Sequence, residues 1–211
     1  SRLFSELVDN NHDLAFDIER PFGFRGGEAT WSTGGQVVYK DRDVDTRRYT
    51  FSARSEFTAT NPDALQLPPN ELFADRFIGE GFRFQETTPA TDNYTATQFI
   101  GAGYGNVKLP LSEAFIVSGG ARMEYSDQQV TTFELFTTTP QEQTGEIEQL
   151  DVMPAVNATY KLSEQMQLRG AVARTVNRPD FRELSPAQFR NVVGGIVVQG
   201  NPELDRAIIN H

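Results

Sequence analysis

LDVMPAVNATYKLSEQMQLRGAVARTV, residues 150–176, is the stretch whose reading decides the fold. Leu150, Val152, Pro154, Val156, Ala158, Tyr160 and Leu162 fall on one parity, opposed by Asp151, Asn157, Thr159 and Lys161. After a short Leu162–Gln165 turn, Met166, Leu168, Gly170, Val172 and Val176 oppose Gln167, Arg169, Ala171, Thr175 and Asn177. A period of two is the mark of an extended strand with one apolar and one polar face. Two such runs joined by a brief polar turn predict an antiparallel hairpin, with Pro154, which brings no N–H to a ladder, marking an irregularity in it.

Working outward, the same alternation returns. Phe115, Val117, Gly119, Ala121, Met123 and Tyr125 oppose Ser118, Gly120, Arg122, Glu124 and Ser126 after the short turn Pro110–Ala114. Residues 94–109 also read as strand, although Gly101, Gly103 and Gly105 blur the facing. Near the start, Leu14, Phe16, Ile18 and Phe22 face away from Asp13, Asp17 and Glu19. A strand after Trp31 sets Gly35, Val37 and Tyr39 against Gln36, Lys40 and Arg42. The glycine-rich run 23–30 joins these two as a hairpin, and Asp9-Asn10-Asn11 predicts a turn before them.

The connections alternate as the faces do. Brief turns fall at one end of the strands, and long polar segments at the other: about 56–93 with Pro62, Pro68 and Pro69, then 127–148, then everything after Asn177. Loops of such length in a compact domain are functional or disordered. Short turns at one end, long loops at the other and strands that are apolar on one face and polar on the other predict an all-β, antiparallel transmembrane β-barrel segment with long extracellular loops. Phe22, Trp31, Phe115, Tyr125 and Tyr160 sit near strand ends, as aromatic girdles require. The competing reading is a soluble, secreted β-sandwich binding module, which has the same hairpins and the same alternation.

Composition narrows the chemistry. The 211 residues include no cysteine and only His12 and His211, so disulfides, thiolate metal sites and serine-histidine catalysis are poorly supplied. A formal net charge of -10 lacks the basic face that nucleic acid demands. Mean hydropathy of -0.46 and the lack of a long apolar run exclude a spanning helix but not spanning strands. Asp41, Asp43 and Asp45 have the opening spacing of a calcium loop, yet Thr46 and Ser52 stand where glycine and glutamate belong. No carboxylate pair sits in a catalytic context. The expectation is a non-enzyme with no cofactor and no metal site.

The run 150–186, closing on Arg178-Pro179-Asp180-Phe181-Arg182-Glu183-Leu184-Ser185-Pro186, and the later Gly200-Asn201-Pro202-Glu203-Leu204-Asp205-Arg206 resemble the barrel of TonB-dependent outer-membrane receptors, in the branch found in Caulobacter-like Proteobacteria. That resemblance implies residues 1–211 are part of a plugged barrel of about 22 strands, with the plug domain and the C-terminal strands lying elsewhere. It implies an active transporter in the outer membrane of a Gram-negative bacterium that imports a scarce solute. An oligosaccharide is the first expected cargo and a ferric siderophore the second. The implied partners are the TonB-ExbB-ExbD complex, acting through the plug, outer-membrane lipid and the small solute itself.

Within that frame Lys40, Arg42, Arg122, Glu124 and Arg169, on the polar strand faces, are expected to line the lumen, because a charge on the lipid side costs about 2–4 kcal/mol at the midplane. Glu124→Leu is therefore expected to be tolerated in assembly better than Val117→Arg. Arg182, Arg190, Asn191 and Gln199, in the last long loop, are the candidate ligand contacts. The segment 178–186 itself is expected to pin that loop to the rim, with Glu183 pairing Arg182 or Arg178. Phe73, Phe77, Phe82 and Phe84 are expected to pack the longest loop against itself.

Overall fold

The computed structural model describes residues 2–89, 92–133, 142–186, 188–190 and 197–211, with backbone only for 188–190 and 197. The first hairpin joins β1 (Arg2–Phe24) to β2 (Gly27–Ala53). Arg25 and Gly26 both take positive φ, 48° and 80°, the two-residue turn whose twist matches the strands it joins. The turn expected at Asp9–Asn11 is not there: β1 runs through it in register with β2. Asn10 donates to Asp41 at 2.9 Å and Arg42 holds Asp9 at 2.6 Å, so cross-strand partners absorb the side chains that would otherwise favour a turn.

The longest connection carries α1 (Ser55–Thr60), a 3-10 turn at Pro62–Gln66, α2 (Pro69–Leu72) and β3 (Phe82–Glu86), which pairs with the top of β2. It is not structureless. Phe4, Tyr49, Phe84, Phe51, Phe73, Phe82, Phe57 and Phe77 touch ring to ring in one chain at 4.9–6.0 Å, which holds the small helices against the hairpin.

Next come β4 (Asn93–Pro110), β5 (Phe115–Phe133), β6 (Gln143–Lys161) and β7 (Gln167–Asn177). The last long connection carries α3 (Phe181–Leu184) and a separate hairpin of β8 (Gln188–Arg190) and β9 (Val197–Gln199), and β10 (Ala207–Asn210) follows. The main sheet is antiparallel and open, in the order β1-β2-β4-β5-β6-β7-β10 with β3 on β2. The β4–β5 and β6–β7 turns close with Leu111 N–H to Phe115 O at 2.9 Å and Leu162 N–H to Met166 O at 2.8 Å. These turns share one end of the sheet with Arg25–Gly26, and every long connection leaves the other end.

Pro154 disturbs one ladder and spares the other. Pairing to β5 passes through Ala121–Pro154 without a register change, while pairing to β7 stops at Ala155–Ala173. Above that point β7 turns to β10 instead, through Arg174–Asn210 to Asn177–Ala207.

One face of the sheet is apolar and uncovered: Leu14 is 76% exposed, Leu168 65% and Val172 63%. From Trp31 to Tyr39 the strand covers about 27 Å, which at a barrel tilt of about 35–45° rises about 19–22 Å, most of an apolar band of about 25 Å. Aromatic rings bound that band, Phe115 with Tyr160 at one level and Phe99 with Tyr125 at the other. A β-sandwich would bury this face under a second sheet. Among the described residues no second sheet covers it, and the sandwich reading falls. Such a face belongs in lipid, and the sheet is a segment of a transmembrane β-barrel.

Candidate functional site

The opposite face is cross-linked by polar groups. Gln36 donates to Asp13 at 2.9 Å and accepts from Arg122 Nη2 at 2.9 Å; Arg122 Nε reaches Glu124 at 2.9 Å. Ala102 lies between Gln36 and Glu124 in the ladder, and its small side chain lets Arg122 bridge from β5 to β2. Closer to the turns, Tyr104 lies across Gly34 and donates to Asp17 at 2.5 Å.

Beyond the apolar band the same face changes character. Val44, Tyr94, Ala96, Val130 and Ile147 are inward and buried, and Phe181 and Leu184 from α3 complete their cluster. The connection after β7 folds back over the inner wall as a strap. Burying Phe181 and Leu184 there supplies about 1.5–3 kcal/mol each. Asp180 caps the single turn: its side chain accepts from Arg182 N at 3.0 Å, while Glu183 Oε2 accepts from Asp180 N at 2.9 Å. Glu183 therefore satisfies the backbone of the helix start, which corrects its expected pairing with Arg182 or Arg178.

Arg178 goes to the wall instead. It donates to Ser126 at 2.9 Å, to Glu124 at 2.5 Å and to Asp151 at 2.9 Å. Arg206, from the far end of the strap, donates to the other Asp151 oxygen at 2.5 Å. Glu124 and Asp151 are both buried, and such carboxylates are tolerated only when paired and hydrogen-bonded. Gln128, fully buried, accepts from Gln98 at 2.9 Å and donates to the Pro179 carbonyl at 2.8 Å. Lys40 and Arg42 stand over the Phe181 ring at 5.4 and 5.1 Å, and Arg42 also pairs with Asp180 at 3.2 Å.

The two motif segments also grip each other. Asn201 N–H donates to the Glu183 carbonyl at 2.6 Å, and Pro202 packs on Gly145 of β6. Two cavities border the strap. One, of about 200 Å³, lies between it and Lys40, Gln98 and Gln128; the other, of about 730 Å³, opens beside Leu7, Arg42, Asn177 and Arg182.

Of the residues singled out in the sequence, Lys40, Arg42 and Glu124 thus meet the strap, and Arg122 is joined to them through Glu124. Arg169 shares their face by register but stands apart, opposite Thr159 toward the short-turn end. Arg182 sits on α3 at the larger cavity. Gln199 is exposed on β9, opposite Gln188. Arg190 lies in β8, but its side chain and all of Asn191 are outside the described residues. Sequence reasoning missed Asp151 and Arg206 as the centre of the site. Their signal was an acidic residue on an inward parity and arginines at both ends of one loop.

An open antiparallel sheet with a bare apolar face, a cross-linked polar face and long connections at one end only defines a barrel-wall segment. The family described as TonB dependent receptor-like, beta-barrel matches residues 2–208, and the chain belongs to it. A comparison with curated proteins gives no match. Among solved structures, the siderophore receptor PiuA from Acinetobacter baumannii is similar over 81% of this chain and 24% of its own, at 11% identity and TM-score 0.51. The FpvAI-pyocin S2 complex holds a chain similar over 84% of this one and 20% of its own, at 13% identity and TM-score 0.51. The chain thus spans about a quarter or less of the solved chains it matches.

Proposed function

We propose that this chain forms wall and outer mouth of an active transporter in the outer membrane of a Gram-negative bacterium. The observation that carries the reading is the bare apolar face, bounded by aromatic rings and backed by a polar face cross-linked from Asp13 to Arg206. A surface of that kind is stable only where lipid covers one side. The chain does no bond chemistry of its own. Solute caught at the mouth passes the wall once the TonB-ExbB-ExbD complex, drawing on the inner-membrane proton gradient, displaces a plug domain.

Arg182 and Gln199, with Arg190 and Asn191, are proposed to contact the solute, and Lys40, Arg42, Arg122, Glu124 and Arg169 to line the passage. For cargo, an oligosaccharide has no support from the solved relatives. PiuA is named for siderophores, which favours a ferric siderophore as the second reading. Growth and uptake by a strain lacking the receptor separate the two: a defect under iron starvation supports the siderophore, and a defect on glycans supports the oligosaccharide. Normal growth and uptake under both conditions would contradict an importer of either solute.

A further inference from the structure

The outward face of β2 changes character twice. It carries no charge from Trp31 to Tyr39, is charged at Asp41, Asp43, Asp45 and Arg47, and is aromatic again at Tyr49 and Phe51. On the same side β1 contributes Phe4, and β3 contributes Phe84, opposite Phe51. These rings touch: Phe4 meets Tyr49 edge-on at 6.0 Å, Phe84 stacks on Tyr49 at 4.9 Å with planes 10° apart, and Phe51 lies against Phe84 at 4.9 Å. They form a ridge on the outside of the wall. Thr50 and Ser52 alternate with them along β2 and take the inward side, so the ridge does not face the passage taken by the solute.

The longest connection packs on this ridge without sealing it. Phe4 remains 56% exposed, Phe84 51%, and Phe73, which meets Phe51 from the end of α2, 42%. Arg47 stands over the Tyr49 ring at 5.6 Å and pairs with Glu86 at 2.8 Å, which places donors and acceptors beside the rings. An exposed apolar patch rimmed by polar groups marks an interaction surface.

Height selects what can cover it. Tyr49 lies ten residues beyond Tyr39, where the apolar band ends. That is about 33 Å along the strand and about 23–27 Å above the band at the tilt of a barrel. A layer of phospholipid headgroups adds only about 5–8 Å. Among lipids, one carrying an oligosaccharide is needed to reach the ridge, which continues the lipid-facing side of the sheet. The order along β2, uncharged, then charged, then aromatic, matches acyl chain, polar headgroup and sugar. Sugar rings present C–H groups that the electron-rich faces of aromatic rings attract, and Arg47 and Glu86 can bond hydroxyl groups.

We infer that Phe4, Tyr49 and Phe84 form a docking ridge for the oligosaccharide of an outer-leaflet glycolipid, on the side of the wall away from the imported solute. The inference rests on the reading of the chain as outer-membrane wall.

The full receptor is placed in nanodiscs of phosphatidylethanolamine and phosphatidylglycerol, either alone, with lipid A, or with lipopolysaccharide that keeps its core oligosaccharide. Hydroxyl-radical oxidation is then read residue by residue by mass spectrometry. Core-bearing lipopolysaccharide should cut oxidation of Tyr49 and Phe84 by about fivefold or more, the step from half-exposed to buried rings, and lipid A should not. Phe82, already buried, serves as the unchanging control. Phe84→Ser should remove most of the protection of Tyr49. Equal oxidation in all three discs, or equal protection by lipid A, would overturn the inference. Protection in every disc together with a band of doubled mass on native gels would also overturn it, in favour of a second copy of the receptor. Heat-modifiable migration from the same discs tests the barrel reading separately: its loss counts against the barrel, while its retention with unchanged oxidation counts against the ridge alone.

Discussion

Gly200 and Ser185 approach so closely that a Cβ on Gly200 would lie 2.0 Å from the Ser185 carbonyl oxygen, with the Arg182 and Glu183 carbonyls at 2.5 and 2.7 Å. All three obstacles are backbone, so nothing can rotate away. Gly200→Ala should separate the two motif segments, at a cost of about 1–3 kcal/mol for overpacking. Protease cleavage between residues 178 and 206 on intact cells should rise, with the barrel still heat-modifiable. Unchanged cleavage would contradict the docking of the two segments.

Glu124 is a second test of the inner wall. By facing alone Glu124→Leu looks harmless, since a leucine in the lumen does not obstruct the barrel. Arg178 and Arg122 both depend on that carboxylate, however. Loss of one partner of a buried pair costs about 3–5 kcal/mol. The variant should assemble but show a lower urea midpoint and faster cleavage of the strap. Glu124→Gln, which keeps hydrogen-bond capacity, should fall between it and the native protein.

Gly34 tests the packing nearer the turns. A Cβ there would meet Phe16 O at 2.5 Å and the Tyr104 ring at 2.6 Å. Gly34→Val should therefore lower the yield of assembled barrel, whereas Tyr104→Phe, which loses only the bond to Asp17, should assemble normally with a small drop in urea midpoint. Equal yields of the two variants would show that the ring does not lie across the glycine.

Acid should loosen the longest loop through Glu86, which pairs with Arg47 at 2.8 Å beyond the apolar band. The hydrogen bond from Arg47 holds the Glu86 carboxyl below its ordinary value of 4.5, with help from Thr88. A carboxyl depressed in the folded state contributes stability above its unfolded pKa, and that contribution is lost as pH falls through the folded value. Proteolysis of residues 54–92 should rise as pH drops below about 4.5, and Glu86→Gln should flatten that dependence. A native profile that is already flat would remove Glu86 from the account.

The membrane-depth part of the fold was legible because alternation there has one meaning: Leu150, Val152 and Val156 face out, Asp151 and Asn157 face in, as the pattern says. Above the bilayer the rule loses its hold. Val44, Ala96, Val130 and Ile147 are apolar yet inward, because the strap dries that face, and the strap comes from residues far along the chain. The same long-range packing hid the role of Asp151, whose partners lie 27 and 55 residues away. Asp9–Asn11 misled for a different reason, since turn-forming side chains satisfied by Lys40, Asp41 and Arg42 sit comfortably in a strand.

The central claim is that one face of this sheet meets lipid and the other does not. Val156 and Asn157 lie on the two faces of β6, Val156 opposite Gly119 near mid-band and Asn157 opposite Ser118. Arginine is placed at each in the full receptor, and heat-modifiable migration is scored on gels. Val156→Arg should abolish or sharply reduce the folded band, in line with about 2–4 kcal/mol for a midplane arginine on the lipid side, while Asn157→Arg keeps it. Equal migration of both variants would contradict the claim.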